Sequence, residues 1–160
     1  MVVSSMCLLS CNNDKNLIVN EQKVMPDDSE IVVNQKVFNE MIDKIGSSKT
    51  CGVISDDEVW NIINASFSIR KDGKTVPIQD YFAMENMSIE ETKDLILGKI
   101  FLFENPYIPQ TRANEPSDEP SLEEIRNAML DECENGYIEP LTTTCKLAVK
   151  IAYYYKKITS

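Results

Sequence analysis

Five cysteines, Cys7, Cys11, Cys51, Cys133 and Cys145, carry the most versatile chemistry in this 160-residue chain. A thiol can ligate metal, attack an electrophile, oxidise to a disulfide or carry a lipid. Their spacing contains no Cys-x-x-Cys pair and therefore no zinc framework. Histidine is absent from the sequence. That removes the commonest general base and metal ligand, and with it Ser-His-Asp and Cys-His catalysis and the His-containing zinc sites. Carboxylate, tyrosine or Ser/Lys catalysis stays open, but no motif marks a catalytic set, a metal site or a cofactor site.

Cys11 has the clearest context. Residues 1–11 hold no charged side chain, and the polar run Asn12-Asn13-Asp14-Lys15 follows at once. Leu8-Leu9-Ser10-Cys11 resembles a bacterial lipobox of the Bacteroides-like type, with Leu three residues before the cysteine and a small residue just before it. The resemblance covers the start of the chain and leaves the body unrecognised. It implies that residues 1–11 are a removable signal-like segment, that residues 12–29 are a tether, and that Cys11 carries the lipid. Two or more acyl chains would anchor the protein stably, since each buried methylene contributes about 0.8 kcal/mol. The implied location is the cell envelope, at the periplasmic or outer-membrane face. Related signals place a cluster of acids after the cysteine for surface export, whereas here Asp14 stands alone. No Lys or Arg precedes the apolar stretch, although a secretory signal has a basic start. Two explanations stand: a true start upstream of Met1, or a buried strand that ends in cysteine.

Cys133 and Cys145 flank the connection between two C-terminal helical segments. An antiparallel hairpin would bring them within the roughly 7 Å Cα separation that a disulfide needs, and export would allow the bond to form. Two buried thiols on apolar faces is the plainer reading.

Charge is the other chemical signal. The net charge of −10 disfavours binding to nucleic acid or to anionic lipid through a basic patch. Between Glu115 and Glu134 lie eight acids and a single base, Arg126. Glu123, Glu124, Asp131 and Glu132 could form an acidic docking face for a basic protein partner, and such a field speeds association. A solvated helix face, partly neutralised by Lys146, Lys150, Lys156 and Lys157 of the next helix, is the plainer alternative. Tyr153-Tyr154-Tyr155 cannot all share one helix face, so at least one is expected at the surface. Trp60, Tyr81 and Phe82 read as core rather than as a site.

The positioning elements follow from periodicity and punctuation. Pro26-Asp27-Asp28-Ser29 reads as a turn and helix start, and Val33, Val37, Met41 and Ile45 recur at helical spacing up to Gly46. Ser55-Asp56-Asp57-Glu58, Ser88-Ile89-Glu90-Glu91 and Ser121-Leu122-Glu123-Glu124 are capping boxes that open three helices. Asp72-Gly73 between alternating segments predicts a hairpin, and Pro77 confines its strand to an edge. Residues 79–87 carry no clear pattern. Residues 99–104 read as a strand, with helix continuation as the alternative. Residues 105–120 hold four prolines and read as an extended connection. Leu122, Ile125, Met129 and Cys133 form one helix stripe, and a last helix follows Pro140.

These observations predict an α+β fold, mostly helical, with four to five helices, a small antiparallel sheet and a C-terminal helical hairpin. Residues 30–104 form the mixed α/β part, and residues 121–160 form the hairpin, packed on the same domain. The expected function is that of a non-enzymatic, immunity- or inhibitor-like envelope module binding a protein. The alternatives are a carboxylate-dependent hydrolase of glycan or cell wall, needing two carboxylates roughly 5–9.5 Å apart, and an accessory subunit of an envelope complex.

Overall fold

A computed structural model describes residues 23–25, 28–48, 52–106 and 119–160. Cys7, Cys11, Cys51, residues 12–22, 26 and 27 of the expected 12–29 tether and most of the Pro-rich connection lie outside the described residues; residues 23–25 and 28–29 of that expected tether are strand instead. The architecture is α+β and mostly helical, with six helices and one antiparallel sheet among those residues. The chain forms two compact units, Met1–Ile89 and Glu90–Ser160.

The first unit holds the sheet, with strand order β1-β2-β3-β4. β1 is Lys23–Met25, β2 Asp28–Val33, β3 Phe67–Lys71 and β4 Lys74–Pro77. The Asp-Gly hairpin is present: Asp72 and Gly73 both take positive φ, 50° and 74°, as a primed two-residue turn demands. β4 is an edge strand and ends on Pro77, which has no N–H to give to a ladder.

β2 corrects the expected helix start. Ile31, Val32 and Val33 are all buried and sit on an inner strand, with Ile31 opposite Ile69 and Val33 opposite Phe67. A β-branched run flanked by β1 and β3 suits a strand covered on both faces better than a helix turn. Asn34 then begins helix α1, Gln35–Ser48: its side-chain Oδ1 accepts the Val37 N–H at 3.1 Å and its carbonyl accepts the Phe38 N–H. The buried pair in α1 is Phe38 and Ile42; Val37, Met41 and Ile45 flank it, half-buried.

Helix α2, Asp56–Ser66, carries a complete capping box. Glu58 N–H donates to the Ser55 hydroxyl at 3.3 Å, and Ser55 N–H donates to the Glu58 carboxylate at 2.8 Å. Its buried face includes Val59, Trp60, Ile62 and Ile63. Helix α3, Ile78–Met84, occupies most of the stretch without a clear pattern and buries Ile78, Tyr81 and Phe82. Trp60, Tyr81 and Phe82 are thus core residues.

The second unit is helical: α4 Ile89–Glu104, α5 Leu122–Gly136 and α6 Leu141–Thr159. Residues 99–104 belong to α4 and not to a strand. The reason lies in the wider spacing: Thr92, Ile96, Ile100 and Phe103 are buried along one helical stripe, while Phe101 and Leu102 face solvent. Seen alone, Ile100 to Phe103 is an apolar run; joined to Thr92 and Ile96 it is one face of a helix that passes through Gly98. α5 buries Ile125, Met129 and Cys133 at four-residue spacing and begins at a second complete capping box on Ser121 and Glu124.

α6 is the most deeply buried helix of this unit. Leu147, Ala148, Val149, Ile151, Ala152, Tyr153, Tyr154 and Tyr155 are all buried. The expectation of a surface tyrosine is therefore overturned. It rested on one face of α6 meeting water, and this part of the helix has no such face.

Candidate functional site

The C-terminal hairpin gathers the sequence's chemical candidates. A disulfide joins Cys133 at the end of α5 to Cys145 at the start of α6, with Cα atoms 5.7 Å apart. Both cysteines are buried. The helices around them are antiparallel neighbours, so stripe-forming positions that are remote along one helix meet across the turn.

Glu123 is exposed on α5 and links that helix to α6. Its carboxylate accepts the Tyr153 hydroxyl at 2.7 Å and lies 3.8 Å from Lys157 Nζ. Lys157 also donates to the Tyr153 hydroxyl at 3.1 Å, and the Arg126 guanidinium sits 4.6 Å from the Tyr153 ring centroid. The Tyr153 hydrogen bond, then a backbone N–H, then Lys157 and Arg126 hold the Glu123 carboxyl below its ordinary value. Glu124 is held low by the backbone N–H and hydroxyl of Ser121, since it closes the capping box. Both shifts run opposite to the direction that a general acid requires.

Other carboxylates are engaged in the same way. Glu134 pairs with Lys146, and Glu104 of α4 pairs with Lys156 at 3.1 Å, both partners largely shielded from water. Phe103 of α4 lies against Tyr153, ring centroids 6.3 Å apart. Burial, and next the Glu104 carboxylate, push the Tyr155 hydroxyl well above its ordinary value. The lysines of α6 thus partly neutralise the acidic block within the fold.

Asp131 and Glu132 differ from Glu123 and Glu124. Both are exposed on α5, and neither side chain has an ion pair or hydrogen bond among the described residues. The four residues expected to form one docking face are therefore divided. All four are exposed, but Glu124 closes the α5 cap and Glu123 bonds to α6, while Asp131 and Glu132 have no side-chain partner among the described residues.

Sequence reasoning missed the turn between the helices. Residues 134–141 are exposed without a break, and they include Tyr137, Ile138 and Leu141. The signal was present as three large apolar residues within five positions at a helix boundary, but a turn usually draws attention for its polar residues. Among the described residues no group of three or more His, Cys, Asp or Glu is placed to hold a metal ion. No helix among them is long and apolar enough to cross a membrane. Comparison with known proteins finds no matching family model, curated protein or solved structure.

Proposed function

We propose that this chain is a cell-envelope lipoprotein, lipid-anchored through Cys11, whose helical hairpin binds a basic protein partner without catalysing a reaction. The observation that carries the binding half is the pair Asp131 and Glu132. These carboxylates are exposed and have no side-chain partner among the described residues, on a disulfide-joined hairpin whose other acids Glu123, Glu124 and Glu134 each hold a hydrogen bond or ion pair. An immunity- or inhibitor-like role suits a small acidic module of this kind, because a negative field accelerates encounter with a cationic partner. The anchor half is supported by the lipobox-like Leu8-Leu9-Ser10-Cys11.

The two halves are tested separately. Intact-mass analysis of the protein from its native host is expected to give a mature chain beginning at acylated Cys11; an unmodified Met1 at the N-terminus defeats the anchor. Capture from envelope extracts over a salt series is expected to recover one defined basic protein whose yield falls with salt and with Asp131→Asn plus Glu132→Gln. Recovery insensitive to both salt and these substitutions defeats the acidic docking face.

A further inference from the structure

We propose that the α5–α6 turn is a docking tip for a basic amphipathic segment of another protein, an inference that rests on the acidic-docking reading and gives it a contact surface. Ile138 is 82 % exposed, Leu141 53 % and Tyr137 50 %. Scattered surface apolar residues are ordinary, but three within five positions concentrate apolar surface at this turn. Hydrogen bonds hold the backbone of this turn. Leu141 N–H donates to the Ile138 carbonyl at 3.0 Å, and the Thr142 hydroxyl donates to the Tyr137 carbonyl at 2.9 Å. The Thr143 hydroxyl donates to the Glu139 carboxylate at 2.7 Å. The Cys133–Cys145 disulfide closes the base of the turn. A partner therefore meets a turn whose backbone is already held and orders little main chain on binding.

Charge selects the occupant. Asp131 and Glu132 lie on α5 behind the tip, and Glu139 lies in it. A second copy of this chain would bring the same carboxylates together on molecules that each carry −10, so self-association is disfavoured. An anionic bilayer is repelled for the same reason. A segment with leucine-like side chains on one face and Lys or Arg beside them satisfies both parts of the surface: the apolar residues cover Tyr137, Ile138 and Leu141, and the cations meet the carboxylates.

Two peptides of equal positive charge test this against the full chain with its disulfide intact: a helical Lys/Leu peptide and an oligolysine. Binding is measured calorimetrically and mapped by amide chemical shifts. The Lys/Leu peptide is expected to shift residues 137–141 and to lose about tenfold in affinity in Ile138→Ser plus Leu141→Ser, whereas oligolysine binding stays unchanged. Both substituted positions are exposed, and an unchanged thermal midpoint establishes that the variant is folded. If Asp131→Asn plus Glu132→Gln weakens both peptides while the tip variant binds the Lys/Leu peptide normally, the tip is overturned and the acidic face stands. If neither peptide binds the unsubstituted chain, both readings are overturned.

Discussion

At the scale of single residues, Glu123 shows how a surface acid becomes part of a fold. Tyr153 is buried to its ring and needs a partner for its hydroxyl. Glu123 supplies one from the neighbouring helix, and Lys157 and Arg126 compensate the charge. The folded protein holds this carboxyl below its ordinary value of 4.5. Its stabilisation is therefore fully present above that pH and fades as the pH falls through the lower, folded-state value. Tyr153→Phe removes the leading cause of the shift. We expect the variant to be less stable than the parent at pH 7, and the difference to narrow between pH 4.5 and more acidic solution; urea titrations across that range check it. A second residue-scale prediction concerns Ser55, whose hydroxyl caps α2. Ser55→Ala should cost about 1 kcal/mol in denaturant unfolding, because it strips one orphan N–H of its acceptor.

Helices and their connections obey different constraints. The disulfide closes a short loop, with 12 positions separating Cys133 from Cys145. In the chain-entropy model such a cross-link contributes about 3 kcal/mol by restricting the unfolded chain. Cys133→Ser plus Cys145→Ser is expected to lower stability by that order, and a reductant should then have no further effect on the variant's thermal midpoint. Gly98 offers the opposite case. It lies exposed inside α4, and a Cβ there would meet nothing within 4 Å. Gly98→Ala should stabilise the protein by about 0.5–1 kcal/mol, since alanine loses less backbone freedom on entering a helix. Gly73 does not share this tolerance despite equally open space, because its φ of 74° lies where a side chain is strained.

For the whole molecule, 26 acids against 16 bases give a net charge of −10. Two electrostatic effects of salt oppose each other. Close pairs such as Lys156–Glu104 at 3.1 Å are only weakly screened, since the Debye length is about 10 Å at 0.1 M and falls to about 3 Å only at 1 M. The repulsion among excess carboxylates acts over longer distances and is relieved first. The thermal midpoint is therefore expected to rise between low ionic strength and about 0.15 M salt. Circular dichroism at fixed pH measures this; a midpoint that falls steadily over the range would show that ion pairs outweigh the excess charge. The same screening would weaken capture of the proposed cationic partner, so stability and such binding should respond to salt in opposite directions.

Local chemistry made much of the chain legible. Ser55 with Glu58 and Ser121 with Glu124 marked helix starts because each box satisfies its own backbone groups within four residues. Asp72-Gly73 marked the hairpin because few other pairs accept positive φ at two successive positions. The cysteine spacing and helical periodicity allowed a disulfide between Cys133 and Cys145, but the antiparallel meeting of α5 and α6 decided it. Tertiary structure also decided whatever depended on a second surface. Ile31 to Val33 became a strand because β1 and β3 pair with its two edges and successive side chains on both faces are buried, and 99–104 became helix because its stripe continues that of Thr92 and Ile96. Tyr153 to Tyr155 became core because α6 is enclosed there. The acidic block was plain in the sequence; which of its carboxylates remain available was not, since a charge is spent or left free only by what packs beside it. Lipid attachment at Cys11 is a proposal from the sequence alone, and the residue lies outside the described residues.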